Sequence, residues 1–221
     1  DVWAHIAPMF HLADAWATLA ITVVGGAHAM LPRFEAEAAL ALIERERVTI
    51  TNLVPTMLNR MVRHPRAREL DFASLRLVLS GGAAIAPALV RETLEVFGCE
   101  YAQTYGMTET SPYLTISLLR AHLRALPLED QLRYVCKTGR PFASVELRVV
   151  GEDGRDVAPD ERTVGEIRVR GNTVSPGYYE DPEATREAFE DGWLKTGDLA
   201  VIDGEGYVTI VDRKKDVIKT G

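Results

Sequence analysis

Between Glu35 and Arg47 the apolar residues Ala36, Ala39, Leu40 and Ile43 fall on one helical face, with acids and arginines between them. This spacing predicts a helix with one buried side. Val48 to Val54 follows as a short run rich in β-branched residues and predicts a strand. Pro55 suits the first position of a helix that continues through Val62. Leu75 to Leu79 reads as a short buried strand running into Ser80-Gly81-Gly82. Pro87 to Phe97 reads as a helix that Gly98 stops, and Tyr101 to Thr104 as the next strand. Strands alternating with helices imply βαβ units, hence a mainly parallel sheet covered by helices. Ligands on such sheets collect beyond the carboxyl ends of the strands, where the Ser80-Gly82 turn and the Tyr105-Glu109 loop both fall.

The pattern changes after Gly139-Arg140-Pro141. Val145 to Val150 and Gly165 to Gly171 alternate with period two, and Glu152 to Arg155 supplies a turn. Leu199 to Ile202 and Tyr207 to Val211 read as a hairpin about Asp203-Gly204-Glu205-Gly206, and only Pro182 to Phe189 in this part reads as helix. The predicted fold class is therefore α/β: a mainly parallel sheet flanked by helices over residues 1–142, then a small antiparallel, barrel-like β subdomain over residues 143–212. Leu118 to Tyr134, amphipathic and interrupted by Pro127, is expected to form a helical or looped excursion. The chain opens at Asp1 inside an apolar, strand-like run and stops at Gly221 with no cap or tail, which predicts a piece of a longer chain.

Composition narrows the partners. The 221 residues are 47% hydrophobic and 26% charged, ordinary for a soluble globular domain. A net charge of −7, without any long basic block, disfavours nucleic acid and anionic membrane surfaces. The longest apolar run, Trp16 to Gly26, is too short to span a bilayer, and no transmembrane segment is expected. Cys99 and Cys136 lie far apart and match no metal or redox spacing, so reduced thiols in a cytoplasmic protein are the simplest account.

Three segments carry candidate chemistry. Tyr101 to Pro112 places an aromatic ring, a glycine, hydroxyls and a carboxylate directly after a buried strand. Tyr105 offers a flat face for a base, Gly106 lets backbone approach closely, Thr108 can donate to a phosphate, and Glu109 is a hard oxygen ligand suited to Mg²⁺. Taken alone, the same residues also describe a polar loop after a core strand. Ser80-Gly81-Gly82-Ala83-Ala84 ends a strand and precedes a helix. It lacks both the GxGxxG and the GxxxxGK[ST] spacings, and Val78 stands where a serine-hydrolase elbow needs glycine. In Asp191 to Asp198 the terminal carboxylate could accept both hydroxyls of a ribose, or could be an exposed acid on a β-turn. Arg213, within Asp212-Arg213-Lys214-Lys215, could bond a ribose or phosphate through its planar fork, although a run of cations is more often a solvated face. His11 lies at the end of an apolar strand, where a satisfied core histidine is the commoner case. No HExxH pattern marks a zinc site.

In this order, the segments Pro8-Met9-Phe10-His11, Ser80 to Ala83, Tyr101 to Pro112, Gly139-Arg140-Pro141, Gly165 to Gly171, Gly177-Tyr178-Tyr179, Asp191 to Asp198 and Gly206 to Gly221 resemble the adenylate-forming superfamily, in particular the AMP-forming acyl-CoA synthetases. The resemblance runs across nearly the whole chain. It implies activation of a carboxylate with MgATP to an acyl-adenylate, then transfer of the acyl group to coenzyme A, with ATP/AMP, Mg²⁺ and coenzyme A as cofactors. It implies that Tyr105 stacks on adenine and that Gly82, Ala83 and Gly106 line the nucleotide. Thr108 would contact the α-phosphate, Glu109 would hold the metal, and Asp198 and Arg213 would bind the ribose. By the same resemblance His11 borders the carboxylate site, Lys215 is the hinge to a missing C-terminal domain that begins within residues 213–221, and Lys219 approaches the adenylate after that domain swings.

The departures are equally specific. The superfamily's Ser/Thr/Gly-rich phosphate loop is absent, nearly all of the C-terminal domain is missing, and Thr104 stands where many relatives have glycine. The 221 residues alone are therefore expected to be inactive. The apolar surroundings of Gly25-Gly26 and Leu77 to Ala84 favour a fatty or other lipophilic carboxylate. An amino-acid-activating domain that feeds a carrier protein is the alternative, and Asp14 is the only acid near His11 in sequence. A non-catalytic nucleotide-binding module is a further alternative, and a homodimer is left open.

Overall fold

A computed structural model describes residues 1–214. Contacts group these residues into two units: Asp1–Thr104 with Leu118–Cys136, and Tyr105–Ser117 with the chain from Lys137 onward. The change of pattern near residue 142 is a change in hydrophobic period, whereas this division follows spatial contacts, so the two need not coincide.

In the first unit the elements run β1 (Val2–His5), α1 (Leu12–Val23), β2 (Ala27–Met30), α2 (Ala36–Arg45), β3 (Ile50–Leu53), α3 (Pro55–Val62), β4 (Leu77–Ser80), α4 (Pro87–Phe97) and β5 (Glu100–Gly106), whose last two residues are counted with the second unit, with α5 (Leu128–Val135) in the later segment. The strands lie in the order β2-β1-β3-β4-β5. All their pairings are parallel, as the strand–helix alternation requires. Ala36, Ala39, Leu40 and Ile43 are all buried, so the periodicity of α2 reports its core face. Pro55 and Pro87 open their helices, where a missing N–H costs nothing, and Gly98 closes α4 in the left-handed conformation at φ 62°. Helix α1 had no predicted boundary. Its twelve residues are apolar nearly all round, with one charged side chain, so no polar stripe marks it.

Cys99 and Cys136 belong to this unit, and burial holds both thiols in the protonated form. Burial pushes Cys99 up to about 12 and Cys136 up to about 11, against an ordinary thiol value of 9.0. Thiolate is the reacting species, so labelling near neutral pH should be slowed on the order of 1,000-fold at Cys99 and 100-fold at Cys136 relative to the denatured chain. Mass-spectrometric timing of labelling measures both rates, and equal rates in folded and denatured protein would refute the expectation.

The second unit contains β6 (Tyr113–Ile116), β7 (Arg140–Pro141), β8 (Val145–Val150), β9 (Gly165–Gly171), α6 (Pro182–Ala188), β10 (Phe189–Glu190), β11 (Trp193–Ile202) and β12 (Val208–Arg213). Five of its strands form an antiparallel sheet, ordered β10-β11-β9-β8 with β12 also paired to β11. Alternate residues of β8, β9 and β11, among them Val149, Ile167, Val169 and Leu194, form its core. The two architectures are those expected from the hydrophobic pattern.

Candidate functional site

The antiparallel register of the second unit builds its main polar constellation. Asp198 on β11 pairs directly with Arg213 on β12. The guanidinium Nε of Arg213 lies 3.3 Å from Asp198 Oδ1, and the Tyr105 hydroxyl donates to Asp198 Oδ2 at 2.5 Å. One carboxylate oxygen thus accepts a hydrogen bond and the other faces a cation, and a ligand hydroxyl could join or replace either partner. The local chain explains why Asp198 is held there. The pairing of β11 with β9 shifts register between Lys195 and Leu199, and Gly197 takes φ 75° within that irregularity. Thr196 Oγ1 anchors the kink by donating to the Ile167 carbonyl at 2.9 Å and accepting from Asp198 N–H at 3.2 Å. Asp198 is only 7% exposed, so it is not the surface acid of a simple turn.

Tyr105 and Gly106 are the last residues of β5 rather than loop residues. Burial, reinforced by the hydrogen bond to Asp198 and its charge, raises the Tyr105 phenol far above its ordinary value. The phenol therefore stays protonated and remains a donor to Asp198. After Gly106 the chain closes on itself. Met107 N–H and the Thr110 hydroxyl both donate to the Pro112 carbonyl, at 3.0 and 2.6 Å. Thr108 and Glu109 sit in a single 3₁₀ turn inside that closure, with Thr108 exposed and Glu109 half-buried. The Glu109 carbonyl accepts from Ser175 N–H at 2.7 Å, and Glu109 Oε1 accepts from the Tyr178 hydroxyl at 2.9 Å. Burial and the bond to Glu109 raise the Tyr178 phenol, keeping it a donor. Ser175 and Tyr178 were not singled out as site residues, although Tyr178 stands in the Gly-Tyr-Tyr signature.

Among the described residues no group of three or more His, Cys, Asp or Glu side chains could hold a metal. A cation at Glu109 would take one protein carboxylate and draw its other oxygens from nucleotide and water. That is the usual mode for Mg²⁺ and not for zinc.

In the first unit, Ser80 to Ala83 leaves the carboxyl end of β4. Gly82 takes φ 79°, and a Cβ on Gly81 would meet the Thr104 carbonyl oxygen at 2.8 Å, so backbone packs closely here. Gln103 holds the turn: its Nε2 donates to the Ala83 carbonyl at 2.7 Å, and its Oε1 accepts from the Tyr101 hydroxyl at 2.6 Å. Gln103 was missed because a lone amide in a strand gives no sequence signal. His11 is not at a strand end. Strand β1 stops at His5, and His11 is the N-cap of α1, exposed, with its ring 4.7 Å from that of Phe10. Lys215 and Lys219 lie outside the described residues.

Residues 1–179 match the family model described as AMP-binding enzyme. The chain belongs to that family. It is 39% identical over its full length to a long-chain-fatty-acid–CoA ligase of Thermus thermophilus, of which it covers 41%. It is 38% identical over its full length to a 4-hydroxybutyrate–CoA ligase of Metallosphaera sedula, of which it covers 40%. Among solved structures, the O-succinylbenzoate–CoA synthetase of Bacillus subtilis in complex with ATP and magnesium superposes with a TM-score of 0.82 and 31% identity, over all of this chain and 43% of that one. The chain thus spans about 40% of the length of the curated relatives it matches. The curated relatives act on different acids by name, so family membership does not fix the acid.

Proposed function

We propose that this chain is the part of an AMP-forming acid–CoA ligase that recognises the adenylate. In the whole protein, a carboxylate oxygen attacks the α-phosphorus of ATP and pyrophosphate leaves. The thiolate of coenzyme A then attacks the acyl carbon and AMP leaves. The observation that carries this reading is the Tyr105–Asp198–Arg213 constellation, an aromatic face beside a carboxylate that accepts a hydrogen bond from Tyr105 and forms an ion pair with Arg213. In this reading Asp198 and Arg213 bind the ribose, Tyr105 and Gly106 border the base, and Gly82 and Ala83 are nucleotide-lining residues. Thr108 donates to the α-phosphate, and Glu109 holds Mg²⁺. Bound there, Mg²⁺ would neutralise charge that builds on the phosphate oxygens. His11 borders the carboxylate, Lys215 is the hinge, and Lys219 reaches the adenylate in the second half-reaction.

A fatty acid is the proposed carboxylate, supported by the names of two relatives, a long-chain and a medium/long-chain-fatty-acid–CoA ligase. An amino-acid substrate is less well supported. The acid nearest His11, Asp14, is fully buried and bonded to Trp3 and His5, so it is not open to a ligand ammonium. Among the described residues no helix is long and apolar enough to cross a membrane, and a cytoplasmic location belongs to the same proposal.

The test is ATP–pyrophosphate exchange by the full-length protein across carboxylic acids of increasing chain length, followed by thioester formation with coenzyme A. Exchange with aliphatic acids and thioester release are expected, while the 221 residues alone should give neither. Nucleotide binding without exchange on any acid would instead indicate a non-catalytic module. Lys215→Pro in the full-length protein should spare exchange and slow thioester formation by at least an order of magnitude, because it stiffens the hinge. Equal loss of both half-reactions would remove Lys215 from that role.

A further inference from the structure

Beneath α1 runs a polar chain, buried at Trp3, His5 and Asp14, half-buried at His28 and exposed at Thr22, to which the chemistry above gives no role. Asp14, in the first turn of α1, is completely buried, as are His5 and Trp3 on β1. The Trp3 indole N–H donates to Asp14 Oδ1 at 3.1 Å, and His5 Nδ1 lies 2.8 Å from Asp14 Oδ2. His5 Nε2 lies 2.9 Å from His28 Nδ1 on β2, with the two rings only 23° from parallel, which suits an in-plane bond. His28 Nε2 in turn lies 3.0 Å from the Thr22 hydroxyl in the last turn of α1. The chain therefore ties both ends of one helix to two neighbouring strands.

Proton counting gives this chain a direction. An ionised Asp14 only accepts, so His5 must carry its proton on Nδ1. With one proton per ring, His5 Nε2 then accepts from His28 Nδ1–H, and His28 Nε2 accepts from the Thr22 hydroxyl. Every group is satisfied in this arrangement. Replacing the carboxylate by an amide that donates to His5 Nδ1 would reverse each bond in turn. The first turn held by this chain is also the one His11 caps. The His11 carbonyl accepts from Asp14 N–H at 3.0 Å and from Ala15 N–H at 3.1 Å, and Asn52 Nδ2 donates to the adjacent Ala13 carbonyl at 2.7 Å.

We propose that Asp14 is a positioning residue for His11, and that Asp14–His5–His28–Thr22 is a one-way hydrogen-bond relay whose direction is set by the charge at position 14. The relay stands on geometry alone. Its consequence for His11 rests on the carboxylate-site reading of that residue given above.

The experiment uses the full-length protein with ¹⁵N-labelled histidine, reading ring tautomers from two-bond proton–nitrogen correlations. Wild type should show His5 and His28 both as Nδ1–H. Asp14→Asn should convert His28 to Nε2–H across the length of the relay. It should also raise KM for the carboxylate, or slow thioester formation, on the order of tenfold, with AMP affinity unchanged. A wild-type His28 carrying Nε2–H, or a His28 tautomer indifferent to Asp14→Asn, overturns the relay. A switched tautomer with unchanged carboxylate KM and thioester rate overturns the positioning of His11. Should Asp14→Asn not fold, the wild-type tautomers alone decide the relay. Should wild type make no acyl-adenylate, the enzymatic reading fails while the spectra still decide the relay.

Discussion

Gly106→Ala is expected to unfold or severely destabilise the second unit. A Cβ at this position would lie 1.8 Å from the Pro112 carbonyl oxygen and 2.9 Å from Tyr113 Cα, both backbone atoms that no rotamer change can move aside. That oxygen accepts from Met107 N–H and from the Thr110 hydroxyl, so displacing it breaks the closure that shapes the Thr108–Glu109 turn. Overpacking of about 1–3 kcal/mol, together with two hydrogen bonds at about 1 kcal/mol each, gives a loss of about 3–5 kcal/mol. This is comparable to the whole stability of a small unit. Gly204→Ala is the internal control, because a Cβ there meets nothing within 4 Å. It should shift stability by no more than about 0.5 kcal/mol. Thermal or denaturant unfolding of both variants provides the comparison, and equal midpoints would mean that Gly106 is not a steric requirement. Its demand is space rather than a left-handed backbone, which distinguishes it from Gly82 and Gly98.

Period carried most of the fold. The stripe of α2 and the alternation of β8 and β9 report burial on one face, and the β-branched run leading into β3 a strand buried on both faces, so the sequence specifies them locally. Helix α1 was hidden because its twelve residues include a single charge, and that charge points inward. Candidate site residues divided in the same way. Tyr105, Gly106, Thr108 and Glu109 stand out as candidates because a short run of unlike chemistry after a strand is unusual, and Asp198 because it closes the Gly- and Trp-containing run from Asp191. What the run could not disclose was pairing across long separations. Asp198 meets Tyr105 across 93 positions, and Tyr178 meets Glu109 across 69. Nor could it disclose the Asp14–His5–His28 chain. Its members are spaced by α1 and two strands, so they align only after the parallel sheet has set the register of β1 with β2.

Asp198→Ala in the full-length protein should weaken AMP binding about 10- to 150-fold, equivalent to about 1.5–3 kcal/mol for a hydrogen bond to a charged group. Part of that loss is indirect. Asp198 is the acceptor for the largely buried Tyr105 hydroxyl, and removing it leaves the phenol without that acceptor and with Thr196 alone to hold the ring beside a stacked base. Two further variants separate the effects. Asp198→Asn keeps an acceptor for Tyr105 and loses the charge opposite Arg213. It should therefore preserve ring placement while weakening recognition of a ribose diol that needs two acceptor oxygens. Tyr105→Phe keeps the stacking face and leaves the carboxylate to Arg213, so its cost should be smaller, at about 1 kcal/mol. If ribose recognition is what Asp198 supplies, replacing AMP by its 2′,3′-dideoxy analogue should cost wild type nearly as much as Asp198→Asn does, and should cost the variant little more. Calorimetric titration of the four proteins with both nucleotides decides the matter. An Asp198→Asn protein that still prefers AMP over the dideoxy analogue by the wild-type margin would move ribose recognition off this carboxylate and onto Arg213 alone.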